Sequence, residues 1–364
     1  MNLQKLISQT LEDRNKNGAL RELDHVPEDW VDFSSNDYLG LGKVKYQLES
    51  MASGGSRLIT GNSSYAEKLE TNVSRHHGSE CSLIFSNGYA ANVGLVSAFA
   101  MRGVHFLVDE KCHASIFDGL RMGQSKVWKF KHNDFDDFES KLKKTAGNII
   151  VITESLFSMD GDIPNFDQYA ELKERFGFYF IVDETHSSGI YSGAKTYLES
   201  VGKDSLADLR LVGFGKGFGA AGAAVLCSTK EREFLINYAR SFIYSTAPDQ
   251  VFYYRIQRQY QVLQTDESRI ENLWSNIEKF TSRKHNKHLR LSQNQGPIQH
   301  IHGPKELLTD LIAELKVRKI WSKLMLPPTI PSGEEKIRIC LHSFNTEQEM
   351  ELLFTSIEEL ESKH

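Results

Sequence analysis

Between residues 65 and 190 the chain alternates two hydrophobic periods. Apolar residues three and four apart predict helices over Tyr65 to His77 and Ala90 to Met101. Short apolar runs predict buried strands over Cys81 to Phe85 and Val104 to Asp109. Such alternation predicts an α/β architecture with a largely parallel sheet. Three more runs, Asn148 to Thr153, Phe178 to Val182 and Leu209 to Val212, each end directly in polar residues. Open α/β sheets bind ligands beyond the carboxyl ends of their strands, which singles out 155–160, 183–186 and 215–219 as site candidates. Ahead of this block, Leu3, Leu6, Ile7 and Leu11 form one stripe that stops at Asn17-Gly18, as an amphipathic helix would. After residue 260 a charged helical stretch, Thr265 to Phe280, precedes short strands around Ile298, Ile320 and Ile337 to Leu341. A closing helix follows over Thr346 to Leu360, with Glu347 and Glu349 in its first turns. The expected organisation is an amino-terminal helix and arm over 1–43, a large α/β domain over 44–262 and a smaller α+β domain over 263–364.

Composition narrows the function classes. A chain of 364 residues exceeds what one core usually supports, which agrees with a large and a small domain. A formal net charge of -5, with no long Lys or Arg block, argues against a nucleic-acid or anionic-membrane partner and favours a small molecule. Cys81, Cys112, Cys227 and Cys340 are widely spread, so neither a disulfide framework nor a metal site is expected. The amino terminus has no signal-peptide core and no 18-residue apolar run occurs, giving the expectation of a cytoplasmic protein that does not span a membrane.

Candidate chemistry gathers at the strand ends. Lys216 lies in VGFGKGFGAAGAAVLCS, framed by glycines at 213, 215, 217, 219 and 222 that let the backbone hold the amine against a flat ligand. A lysine that forms a Schiff base needs such access, together with a pocket that lowers its pKa. The same lysine also reads as a surface residue of a mobile loop, and GFGAAG matches a nucleotide-binding GxGxxG only weakly. Asp183 ends FYFIVD and can pair with a ring nitrogen, or cap a turn. His186 follows it in DETHSSG. Ser158 and Asp160, in ESLFSMDGD, can orient a ligand or make an ordinary turn. His113, after the strand end at Asp109, can stack on a flat ring or be structural. SNGYAAN, with Gly88 and Tyr89, opens a helix whose free amides favour phosphate.

These segments in this order, with FSSNDYLGL (33–41), SGGSRLITGN (53–62), KCHASIFDG (111–119), FIYSTA (242–247) and PPTIPSGEEKIRICL (327–341), resemble the α-oxoamine synthases across nearly the whole chain. The resemblance implies an aminotransferase-like type I fold, pyridoxal 5′-phosphate as cofactor, and a homodimer acting on an amino acid and an acyl thioester carried by coenzyme A or a carrier protein. It implies Lys216 as the Schiff-base residue, Asp183 at the ring nitrogen, His113 on the ring face, Ser158 and His186 near the ring hydroxyl, and Gly88 and Tyr89 beside cofactor and acyl substrate. Arg338 would grip the amino-acid carboxylate, Arg21 and Thr329 would serve the acyl substrate, and Ser245 and Thr246 would reach the phosphate of the partner subunit. SGGSR, GKGFG with AGAAVLCS, FIYSTA and PPTxPxG are most similar to the member that joins L-alanine to a pimeloyl thioester. Members that use glycine or serine with other acyl thioesters are the alternatives, as is a silent partner subunit that has kept the fold. Three departures stand out. Gly213 replaces a threonine of the phosphate site, Leu326 replaces an arginine before PPT, and the segment between Gly42 and Ser53 is short.

Overall fold

The computed structural model describes residues 29–41, 53–283, 288–327, 330–331 and 333–363, together with Glu12 and Lys16, both helical. The rest of the helix expected over 1–20, and the candidates Arg21 and Thr329, lie outside the described residues. The elements run from strand β1 (Val31–Asp32) to helix α12 (Glu347–Ser362) and form two compact units.

The larger unit, Asn36–Ser275 with His342–Phe344, is built on a seven-stranded sheet. Its strands are β2 (Cys81–Phe85), β3 (Val104–Asp109), β4 (Lys126–Phe130), β5 (Asn148–Glu154), β6 (Tyr179–Asp183), β7 (Leu209–Gly213) and β8 (Ala223–Cys227), in the order β2-β8-β7-β6-β5-β3-β4. Neighbours from β7 to β4 pair parallel, and β8 is antiparallel to both β7 and β2. The α/β expectation, with a mainly parallel sheet, is borne out.

Both sheet faces are buried, which explains the apolar runs. Phe106, Val108, Ile150, Ile152 and Ile181 point into one core with residues of α2 (Gly88–Phe99) and α3 (Ala114–Arg121). Their alternates Leu107, Val151, Phe180 and Val182 pack on the other face with residues of α4 (Phe135–Lys144) and α5 (Phe166–Phe176). Helix starts follow side-chain caps: Ser63 accepts from Ala66 N–H at α1 (Ser64–His76), and Asn87 accepts from Ala90 N–H at α2. Gly177, left-handed at φ 67°, ends α5. The expected helix over Thr265 to Phe280 begins at Ser268 instead, because the Asp266 carboxylate accepts from Ser268 N–H and separates it from the preceding helix Gln250–Thr265.

The second unit comprises Met1–Ser35, Asn276–Leu341 and Asn345–His364, as far as they are described. Strands Arg290–Leu291 (β9), Ile298–His302 (β10), Lys323–Met325 (β12) and Lys336–Cys340 (β13) form an antiparallel sheet in the order β12-β13-β10-β9. β1 pairs in parallel with β11 (Ile320–Trp321). No disulfide joins the four cysteines. Among the described residues no helix is long and apolar enough to cross a membrane.

Candidate active site

Residues at the carboxyl ends of β2, β3, β5, β6 and β7 converge on one cavity of about 220 Å³. Its lining includes Gly88, Tyr89, His113, Asp183, His186 and Lys216, so the structure brings together these residues, which sequence reasoning had singled out separately. All belong to the larger unit.

Asp183 ends β6 with its carboxylate held from two sides. Asn92 Nδ2 donates to Oδ2 (2.7 Å) and Thr185 N–H donates to Oδ1 (2.9 Å). Such fixed bonds leave it little rotational freedom, as an orienting carboxylate requires. His186 Nδ1 lies 2.9 Å from the Tyr38 hydroxyl. Lys216 sits in the turn between β7 and β8. There Gly217 has Ser188 O 2.4 Å from where a Cβ would stand, and Gly222 has φ +108°, which other residues rarely adopt. Gly217 and Gly222 are therefore packing and backbone requirements of this turn.

His113 is the amino-terminal cap of α3. Its Nδ1 accepts from Ser115 N–H (3.3 Å) and lies 2.7 Å from Ser115 Oγ, which assigns the proton of the neutral ring to Nε2. Its own N–H donates to Glu154 Oε1 at 2.5 Å. Glu154 ends β5 in register with Asp183 on β6, and both are buried. Burial, reinforced by the Asp183 charge, pushes the Glu154 carboxyl well above the usual range. The cavity thus presents two buried carboxyl groups side by side, and burial disfavours the charged form of Glu154. Tyr89 sits at the wall, its ring edge-on to His113 with centroids 6.5 Å apart and its hydroxyl donating to Asp118 Oδ2 (2.6 Å). Asn87 and Gly88 place the start of α2 at the cavity, where unpaired amides and the helix dipole favour an anion.

The other candidates lie elsewhere. Ser158 is half-buried in the turn after β5 and does not line the cavity. Ser245 and Thr246 are exposed, also outside the lining, and Thr246 bridges to Ser56. Arg338 belongs to the smaller unit, buried on β13 opposite His300 and Lys323. Sequence reasoning missed Asn92 and Glu154, and it marked Thr185 only as part of the window 183–186. Glu154 and Thr185 carry the strand-end signal, as do Ser158, Asp160 and His186. Asn92, one turn into a helix, carries no such signal.

The model of the family described as aminotransferase class I and II matches residues 28–357. The chain is 33% identical over 341 residues to the 8-amino-7-oxononanoate synthase of Sodalis glossinidius, covering 90% of this chain and 87% of that one. It is 30% identical over 393 residues to the protein of the same name from Emericella nidulans, covering 98% and 95%. Among solved structures it is similar to the Sphingomonas wittichii serine palmitoyltransferase, with TM-score 0.90, 20% identity and coverage of 100% and 99%. It is also similar to the 8-amino-7-oxononanoate synthase of Francisella tularensis, with TM-score 0.76, 25% identity and coverage of 93% and 99%. The expected likeness to that synthase and the type I aminotransferase-like fold are both borne out.

Proposed function

Because the chain belongs to the aminotransferase class I and II family, we propose that it is a pyridoxal-phosphate enzyme that condenses L-alanine with a pimeloyl thioester, releasing carbon dioxide, to give 8-amino-7-oxononanoate in biotin biosynthesis. The observation that carries this reading is the meeting of Lys216, Asp183, His113 and the start of α2 in one cavity. The residues fit the cofactor by their chemistry: an amine for its aldehyde, a fixed carboxylate for its ring nitrogen, an imidazole for its face and a helix start for its phosphate. When bound, the cofactor supplies an electron sink for negative charge at the amino-acid α-carbon.

The chain's own groups divide the remaining work. Lys216 anchors the cofactor through its ε-amine and moves the α-proton of the amino acid. Asp183, held by Asn92 and Thr185, keeps the ring nitrogen protonated. His113, with its proton on Nε2, donates a hydrogen bond to a carboxylate or carbonyl oxygen above the ring. A carbon–carbon bond forms between the alanine α-carbon and the thioester carbonyl as the thiol leaves. The bond to the carboxyl carbon then breaks, carbon dioxide departs, and a proton returns to the α-carbon. Arg338 is the proposed partner of the amino-acid carboxylate, and Arg21 and Thr329 of the acyl chain. Ser158 joins His186 near the ring hydroxyl, and Ser245 and Thr246 serve the phosphate across a homodimer.

Two measurements test the reading. Lys216→Ala is expected to abolish turnover and the visible absorbance of lysine-bound cofactor; an unchanged spectrum and rate would refute it. A panel of glycine, alanine and serine against short, pimeloyl and long acyl thioesters, on coenzyme A and on carrier protein, is expected to release carbon dioxide fastest with alanine and the pimeloyl thioester. Preference for serine with a long chain would reassign the substrate while leaving the chemistry in place.

A further inference from the structure

Two cavity walls meet at Gly213 and Thr185. Gly213 ends β7, and its N–H donates to Ser188 Oγ (3.1 Å). A Cβ at 213 would stand 2.4 Å from Thr185 Cγ2 and 2.8 Å from Thr185 Cβ and Oγ1, closer than folded proteins allow. With threonine at 185, only glycine fits at 213. The glycine that departs from the resembled pattern is what gives Thr185 its room. Thr185 has its backbone fixed by the Asp183 carboxylate, yet its Oγ1 is buried with no partner among the described residues. A buried hydroxyl left unpaired loses its hydration without replacement, and native structures seldom leave one so without cause.

We propose that Thr185, given its room by glycine at 213, is a cofactor-binding residue whose hydroxyl hydrogen-bonds an oxygen of the bound pyridoxal phosphate. This inference rests on reading the cavity as a pyridoxal-phosphate site. Thr185 lines the cavity beside the groups that hold the ring, and a cofactor oxygen supplies the partner that the protein does not. A phosphate oxygen and the ring hydroxyl offer the same chemistry, and the two are separable by experiment.

The test is titration of the cofactor-free protein with pyridoxal phosphate and, in parallel, with pyridoxal, followed by absorbance. Thr185→Val keeps the shape and removes the hydroxyl. It is expected to weaken pyridoxal-phosphate binding about tenfold, whereas Thr185→Ser stays close to wild type. Weakening confined to the phosphorylated ligand assigns the phosphate oxygen, and weakening of both assigns the ring oxygen; either supports the proposal. Should the valine variant fail to fold, Thr185→Ala against Thr185→Ser makes the same comparison. The steric half is read without cofactor: Gly213→Thr is expected to lower the unfolding temperature, and adding Thr185→Ala to restore most of it. Wild-type binding matched by the valine variant, or by the alanine variant in its place, overturns the role of Thr185 alone. No binding by the wild type overturns the reading of the cavity and this inference with it.

Discussion

Two buried carboxyl groups on adjacent strands are a costly arrangement in the wall of a cavity. Glu154 and Asp183 are register partners on β5 and β6, and two adjacent buried anions would repel at considerable cost. Burial eases the conflict by favouring the neutral form of Glu154. Glu154 then serves as the acceptor for the His113 amide. Glu154→Gln, neutral and nearly isosteric, is expected to keep this bond and to hold kcat within about threefold of wild type. Glu154→Ala leaves a buried N–H unpaired and should cost about 1–3 kcal/mol of stability, with a tenfold or greater fall in kcat. Thermal unfolding and steady-state kinetics on the two variants check this, and equal loss in both would show that charge, not the amide bond, is what matters. Which residues meet at the cavity was partly legible beforehand. Lys216 and Asp183 stand out because glycines and a strand end mark them. Glu154 carried the same strand-end mark, but its importance comes from lying beside Asp183 in the folded sheet, and no local pattern encodes that neighbour.

At the scale of elements, the loops after β3, β4 and β5 are joined by His132. Its Nδ1 lies 2.9 Å from Asp109 Oδ1 and its Nε2 lies 2.8 Å from Asp162 Oδ2, while its ring packs edge-on against Phe157. These loops carry His113 and Ser158, so the clamp fixes the segments around the cavity. Burial works against the charged imidazole, but hydrogen bonds to Asp109 and Asp162 prevail and raise its pKa to about 9. The folded pKa therefore lies above the unfolded value near 6.5, so the stabilisation is complete below about pH 6.5 and is lost as pH rises through 9. A contribution of about 2 kcal/mol is expected. Urea midpoints measured from pH 6 to 10 should fall more steeply for wild type than for His132→Asn, and parallel curves would refute the clamp. Hydrophobic period made the central strands legible, since they are buried on both faces. β4 escapes that reading because it is the sheet edge, paired only with β3, and most of its residues are exposed. The charged Asp109–His132–Asp162 contact is equally invisible in sequence, as it joins three separate loops.

For the whole molecule, α/β alternation made the fold class legible, whereas the pairing of Val31 with Ile320 ties the beginning of the chain to a distant strand that no local signal announces. This pairing belongs to the unit that also contains β9 to β13, while every described residue lining the cavity lies between Asn87 and Gly222 of the other. A ligand that binds only the folded form stabilises whatever must unfold to release it, by about 2.7 kcal/mol at a hundred times its dissociation constant. Cofactor should therefore slow exchange of the most protected amides of β3, β5 and β6 by roughly a hundredfold. The smaller unit has its own sheet and apolar residues, including Leu308, Leu311, Ile337 and Leu353, so amides of β10 and β13 are expected to exchange at their cofactor-free rates. Amide hydrogen exchange with and without pyridoxal phosphate measures both sets in one experiment. Equal slowing in β13 would mean that the two units open together, and the stabilisation would then belong to the whole chain rather than to the unit that holds the site.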